Sequence, residues 1–339
     1  MRRAWSRIVA FLDRREPGEA LAAYRVLLGL NVLWAVSSVW APGLVPVLWL
    51  QPEDGGMRPL QDGGSWLVGA LGGPTPEVVW ALVVGTVVAS VFLVLGVASR
   101  LMALLCLQGF LAVAWINGHA GGSYDNLLTN ALWLLVLARS DATASLTCRV
   151  RTGAWRQATQ VPAWPRWLVA LQLVVMYTST GLQKVSASWV PGGDSSALYY
   201  ILQQPSWARG DFSWTAHVFP LTQAATLSVW IFEVGAPILL LFLWFRHTRD
   251  RPGRLRAACN RLDARSLFVA YGALMHIGIH VTMAVGPFST VCLAMYACLF
   301  SGEEWAAALD RLPGWRGRGP QPAREPATPP PAAPTPPTG

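Results

Sequence analysis

Lys184 is the only lysine in the chain; the other 25 basic residues are arginine. Arginine stays charged essentially always, whereas a lysine amine taken out of water can give up its proton and act as a base. The alternative is a lysine that reaches to the headgroup region and marks a helix end. Few other polar groups fall within or beside apolar stretches: Arg25, Asn31, Asn117, His119, Glu233, His276 and His280. Each is expensive to place in lipid and is a functional candidate for that reason. Glu233 sits near the middle of an apolar run, so it is expected to be neutral or paired, with Arg25, His276 or His280 as partner. It then serves as a clamp between helices or as a proton relay. His276 and His280 are four residues apart and share one helical face. No third ligand accompanies them, so packing or a hydrogen bond to Glu233 is favoured over a metal.

These groups need a scaffold in which burial is general, and the composition supplies it. Hydrophobic residues make up 53% of the 339, and charged residues 13%, against about 25% charged in a soluble domain. The apolar residues come in spans, which excludes a soluble enzyme with one membrane tail and excludes a disordered chain. The expectation is an all-α, polytopic membrane protein. Its eight spans fall at about 20–40, 78–99, 101–116, 124–138, 167–185, 221–245, 267–285 and 288–300. Between the last two a break is required at Gly286-Pro287. One helix over 267–300 would be about 51 Å long, too long for a hydrocarbon core of about 30 Å.

The arginines orient this layout. With the N-terminus cytoplasmic, 22 of the 26 basic residues fall on inner segments, and Arg58, Lys184 and Arg209 on outer ones. That bias follows the positive-inside rule and puts both termini in the cytoplasm. It also accounts for the net charge of +8 without nucleic acid, since no soluble domain presents a basic face. Residues 1–19 read as a basic cytoplasmic N-terminus, 20–306 as the membrane domain, and 307–339 as a Pro-rich disordered tail. Glu303–Leu312 reads as a short amphipathic helix on the inner face. The five cysteines have no metal or disulfide spacing. Two long outer segments, 41–77 and 186–220, are rich in tryptophan. Trp189, Tyr199 and Tyr200 there either roof a pocket or form an interfacial belt.

The string Tyr177-Thr-Ser-Thr-Gly181-Leu-Gln-Lys184, continuing to Trp189 and Gly192, resembles a segment of the vitamin K-dependent γ-glutamyl carboxylases. That segment belongs to the wider horizontally transferred transmembrane (HTTM) family. Three further stretches are similar, in the same order. They are Ala22-Ala-Tyr-Arg25-Val-Leu-Leu-Gly29, Trp230-Ile-Phe-Glu233-Val-Gly-Ala-Pro237, and His280-Val-Thr-Met-Ala-Val-Gly286-Pro-Phe288 with Leu299-Phe300 and Glu304-Trp305 after it. The resemblance covers roughly residues 15–306. It implies a membrane-held cofactor, reduced vitamin K or menaquinol, deprotonated by the lysine at position 184, with Tyr177 among the substrate-binding residues. Oxygenation of that quinol would drive γ-carboxylation of a glutamate in a peptide or protein, at the outer side of a bacterial inner membrane.

Two departures bear on that expectation. In the carboxylases a histidine directly precedes a Ser-Tyr pair; here Gly122 precedes Ser123-Tyr124 and the nearest histidine is His119. His119 is either the displaced partner of Lys184 or a polar residue at a wet helix end. The carboxylases also carry a large domain after their spans. In its place stands a Pro-rich tail, which leaves a smaller peptide substrate, a partner chain supplying the outer domain, or loss of carboxylation. The competing function within the same family is a non-catalytic accessory for maturation or export of a secreted peptide. In that case Lys184 contacts a peptide carboxylate or a membrane lipid headgroup.

Overall fold

A computed structural model describes residues 2–51, 53 and 65–312. Among the described residues the elements run α1 (Arg2–Leu12), β1 (Arg15–Pro17), α2 (Glu19–Trp40), α3 (Val45–Trp49), α4 (Trp66–Ala70), α5 (Pro76–Leu95), α6 (Ser99–Ala114), α7 (Tyr124–Leu137), α8 (Leu146–Thr152), β2 (Gln160–Pro162) and α9 (Trp164–Gln183). After them come α10 (Ala197–Leu202), α11 (Phe219–Val234), α12 (Ile238–His247), α13 (Arg254–Arg261), α14 (Ala264–Thr282), α15 (Phe288–Tyr296) and α16 (Gly302–Leu309). Among the described residues the fold is all-α but for one two-stranded antiparallel ribbon, β1 with β2, and an isolated bridge between Ala208 and Met283. Arg58 and the Pro-rich stretch 313–339 lie outside the described residues.

Local chemistry sets the helix ends. Thr75 caps α5 by accepting a hydrogen bond from Val78 N, Pro76 occupies its first turn, and Gly96 ends it at φ +72°. Ser301 and Glu304 form a reciprocal capping box at the start of α16. The break expected after α14 is present, with Gly286 at φ +58° between α14 and α15. The sixth apolar stretch, expected as one helix, is two. α11, with the 3₁₀ turn before it, and α12 are bent by 58° relative to each other. Pro237 has no N–H to continue the ladder, and its ring excludes the helical carbonyl four residues back.

α2 packs on α5, α5 on α6, α6 on α7, α9 on α11 and α14 on α15. Tyr24, Leu28, Val83, Leu107, Leu128, Leu132, Leu173 and Val291 meet in one continuous core. α5 is apolar on every side: Val79, Val83 and Leu93 are buried, while Val84, Val88, Val91 and Leu95 are exposed. A helix of that kind needs an apolar solvent on its free face. α2 and α5 are each long and apolar enough to cross a membrane, and the bent pair ending in α12 adds a third if it counts as one span.

The basic N-terminal segment carries α1 and β1. Its ribbon strand aligns Glu16 with Val161. Arg166 grips the Glu16 carboxylate at 2.6 and 2.9 Å and donates to Cys298 O at 3.2 Å. Nearby, Glu304 accepts from Arg265 at 2.6 and 2.9 Å and from Arg246 at 2.9 Å. Burial opposes the Glu304 charge, but the hydrogen bonds from Arg265, the Ser301 N–H and Arg246 overcome it and hold the carboxyl down to about 2. These ion pairs lock one end of the helix bundle, the end where most arginines gather.

Candidate functional site

At the opposite end of α9 lies the only lysine. Lys184 is the residue that caps α9, and its Nζ donates a hydrogen bond to Oε2 of Glu233 in the last turn of α11. The side chains are 21% and 10% exposed. Lys184 Nζ also stands 5.0 Å from the centre of the Trp189 ring, an arrangement that favours a cation. Gly181 makes the pairing possible. A Cβ there would lie 2.8 Å from Val234 N and 2.9 Å from Glu233 Cβ, so only glycine lets α11 come this close. The Gly181–Lys184 spacing thus sets both the approach of the helices and the group that bridges them.

The pair sits in the wall of a cavity of about 490 Å³. Its other walls are mainly apolar and aromatic: Tyr124, Trp189, Leu198, Ile201, Trp207, Val229, Ile279, Met283 and Phe288, with Gly121, Gly122 and Gly286. Thr180 and Thr226 are also in the wall, and Thr226 is engaged, accepting from Leu198 N and donating to Thr222 O. The segment carrying Trp207 is strapped to the end of α14. Ala284 N donates to Trp207 O at 2.7 Å, Arg209 N to Thr282 O at 2.9 Å, and Arg209 Nε to Met283 O at 2.8 Å. A volume of this size with one charged pair in apolar walls has the character of a small-molecule site.

The structure separates residues that the sequence grouped. Arg25, fully buried, does not meet Glu233. Its guanidinium donates to Ser140 O at 2.8 Å and Ala144 O at 2.7 Å in the α7–α8 connection and to Val94 O at 3.4 Å, so it ties that connection to the last turn of α5. His276 Nε2 lies 2.6 Å from the Tyr177 hydroxyl, which lies 2.6 Å from the Tyr296 hydroxyl. All three residues are buried. His280 turns to Trp34 instead, with ring centres 5.5 Å apart. The expected network of Arg25, Glu233, His276 and His280 is therefore three separate arrangements and a ring contact. One helical face places two histidines alike but does not choose their partners.

Tyr177 is not in the cavity wall; it stands behind it, hydrogen-bonded to His276, whose ring is 5.7 Å from that of the lining residue Phe288. Trp189 lines the cavity. Tyr199 packs edge-on to Phe219 at 5.2 Å, Tyr200 is exposed, and neither lines it. His119 is exposed in the loop before α7, its N–H held by Asn117 Oδ1 at 3.0 Å, and it too stands outside the lining. In its stead the loop offers Gly121 and Gly122, followed by Tyr124. Tyr124, Trp207 and Phe288 line the cavity, although the sequence marks none of them as a site residue. Tyr124 and Phe288 stood within recognisable strings, but nothing local tells which aromatic faces a cavity.

A helical bundle with lipid-type outer faces, and with a Lys–Glu pair in the wall of an apolar cavity, marks a membrane protein. A family model described as HTTM domain matches residues 14–251, and the chain belongs to the HTTM family. The match takes in Arg25, Tyr177, Lys184 and Glu233, and stops before His276, His280 and Phe288. No curated protein and no solved structure matches the chain.

Proposed function

We propose that this HTTM protein crosses a bacterial inner membrane eight times with both termini cytoplasmic. We further propose that its cavity holds a reduced quinone, reduced vitamin K or menaquinol, from which Lys184 takes a proton. The carrying observation is the Lys184–Glu233 pair in the wall of an apolar, aromatic cavity. The cavity fits such a ligand. Flat aromatic walls suit a fused-ring head group, and the lipid-like walls suit its apolar tail.

The pair also answers how a lysine beside a carboxylate can act as a base. As an ion pair in a place of low dielectric it forgoes much of its hydration. Moving one proton along the existing hydrogen bond gives an amine beside a carboxylic acid. In that form Lys184 has the lone pair that a quinol hydroxyl needs, and Glu233 stores the proton. The bound quinol would supply the oxygen-reactive ring whose epoxidation drives γ-carboxylation. A glutamate-bearing peptide, or a protein presented with a partner chain, would approach from the same end. His119 takes no part in this reading.

A second reading has its own support. Lys184 and Glu233 satisfy each other, so the pair also works as a clamp between α9 and α11. The cavity would then seat an apolar part of a secreted peptide during maturation or export, without chemistry. Purified protein in lipid, given reduced menaquinone or reduced vitamin K with oxygen, separates the two. Quinone epoxide, measured by chromatography, is expected under the first reading; its absence from folded protein, with a working carboxylase as control, supports the second.

A further inference from the structure

The arginine-rich end of the bundle holds a second cavity, of about 420 Å³, at the other end of α9 from Lys184. Six arginines line it: Arg14, Arg15, Arg166, Arg246, Arg249 and Arg265. Four carboxylates face them. Glu16 is taken by Arg166, and Glu304 is shared by Arg246 and Arg265. Asp250 approaches only Arg249, at 3.9 Å with both largely exposed; Glu303 is exposed. Arg14 and Arg15 form no ion pair among the described residues, and Arg14 donates a hydrogen bond to the His247 ring, whose charged form is disfavoured by burial and by the neighbouring arginines. Positive charge is thus left over in a concave site whose deeper arginines are already held rigid by Glu16 and Glu304.

We infer that this cavity binds a phosphate group, and that the phosphate belongs to an anionic membrane lipid. Guanidinium groups match phosphate oxygens in charge and geometry, and basic pockets between membrane helices recognise anionic headgroups. The lipid source follows from what flanks the cavity. α1 runs directly into Arg14 and Arg15, and exposes Trp5, Val9 and Leu12 at helical spacing along one face. Its Phe11 packs on Trp167, which is in the cavity wall, at 5.1 Å. A soluble anion has no use for an apolar ledge beside its site, whereas acyl chains do. The inference rests on the chain's place in a bilayer and is independent of the quinol chemistry.

The test is thermal unfolding of the full chain in neutral detergent. Phosphatidylglycerol, phosphatidylcholine with the same acyl chains, or inorganic phosphate is added. Phosphatidylglycerol is expected to raise the midpoint by several degrees and the other two by little. The double variant Arg15→Gln/Arg249→Gln, which touches neither the Glu16 nor the Glu304 ion pairs, should lose at least half of that shift. Arg151→Gln, an exposed arginine of α8 outside the cavity, should keep it. Equal shifts with the two lipids, or a full shift in the double variant, would overturn the site. A shift from inorganic phosphate as large as that from phosphatidylglycerol would overturn the lipid as its source. Since no quinone is present, failure here is distinct from failure of the proposed chemistry.

Discussion

Lys184 and Glu233 stand 49 positions apart in the chain and share one hydrogen bond across the contact between α9 and α11, at the wall of the apolar cavity. The pair explains why this position holds the one lysine. An arginine in its place would be permanently charged and, being longer and planar, would meet Glu233 in a different geometry. A pair of this kind can keep its proton on either partner while the site as a whole stays neutral.

The close approach at Gly181 sets this geometry. Gly181→Ala forces a methyl group against the backbone of Val234; overpacking of this kind costs about 1–3 kcal/mol. Thermal unfolding should show that loss, together with weaker quinol binding. Gly278→Ala on α14, where a methyl group would meet nothing within 4 Å, should leave stability unchanged or raise it by up to about 1 kcal/mol. Equal effects from the two changes would contradict the assigned role of Gly181.

Tyr177 stands behind the cavity wall without lining it. Tyr177→Phe removes the hydroxyl that His276 Nε2 and Tyr296 share and should cost about 1–3 kcal/mol, because two buried polar groups lose a partner. Quinol affinity measured on the folded protein should change less than twofold. A large loss of affinity at full stability would place Tyr177 at the ligand instead.

The Glu304 carboxyl gives a pH signature at the arginine-rich end. Its folded value, about 2, lies below its ordinary 4.5. The stabilisation is therefore complete above pH 4.5 and is lost as the pH falls toward 2. The difference corresponds to about 3 kcal/mol. Comparing the unfolding midpoints of wild type and Glu304→Gln from pH 6 to pH 3 should show a gap that narrows with acid. A gap independent of pH would count against this assignment.

Much of the fold was legible because it follows from apolar runs and their punctuation. Each of the eight apolar stretches contains helix, and Gly286-Pro287 breaks the chain where length required it. Pro237 carried a signal too, since a proline inside an apolar run interrupts a helix, yet the stretch reads as continuous by hydropathy alone. The β1–β2 ribbon was not legible: Glu16 and Val161 are brought together by the folded bundle, and three-residue strands leave no periodicity. The site was half legible. A lone lysine and a mid-span glutamate mark themselves by cost, but their partnership depends on Gly181, whose role appears only once α11 is packed on α9. Arg25 shows the converse. A buried charge suggests an ionic partner, and three backbone carbonyls served in its place.

The most direct measurement follows quinol binding and epoxide formation in the same samples of wild type, Lys184→Arg and Lys184→Ala, reconstituted in lipid. The account predicts epoxide from wild type only, with Lys184→Arg still folded and still binding quinol, since it keeps a cation beside Glu233 but cannot release a proton. Epoxide formation by Lys184→Arg at a rate near that of wild type would contradict Lys184 as the base.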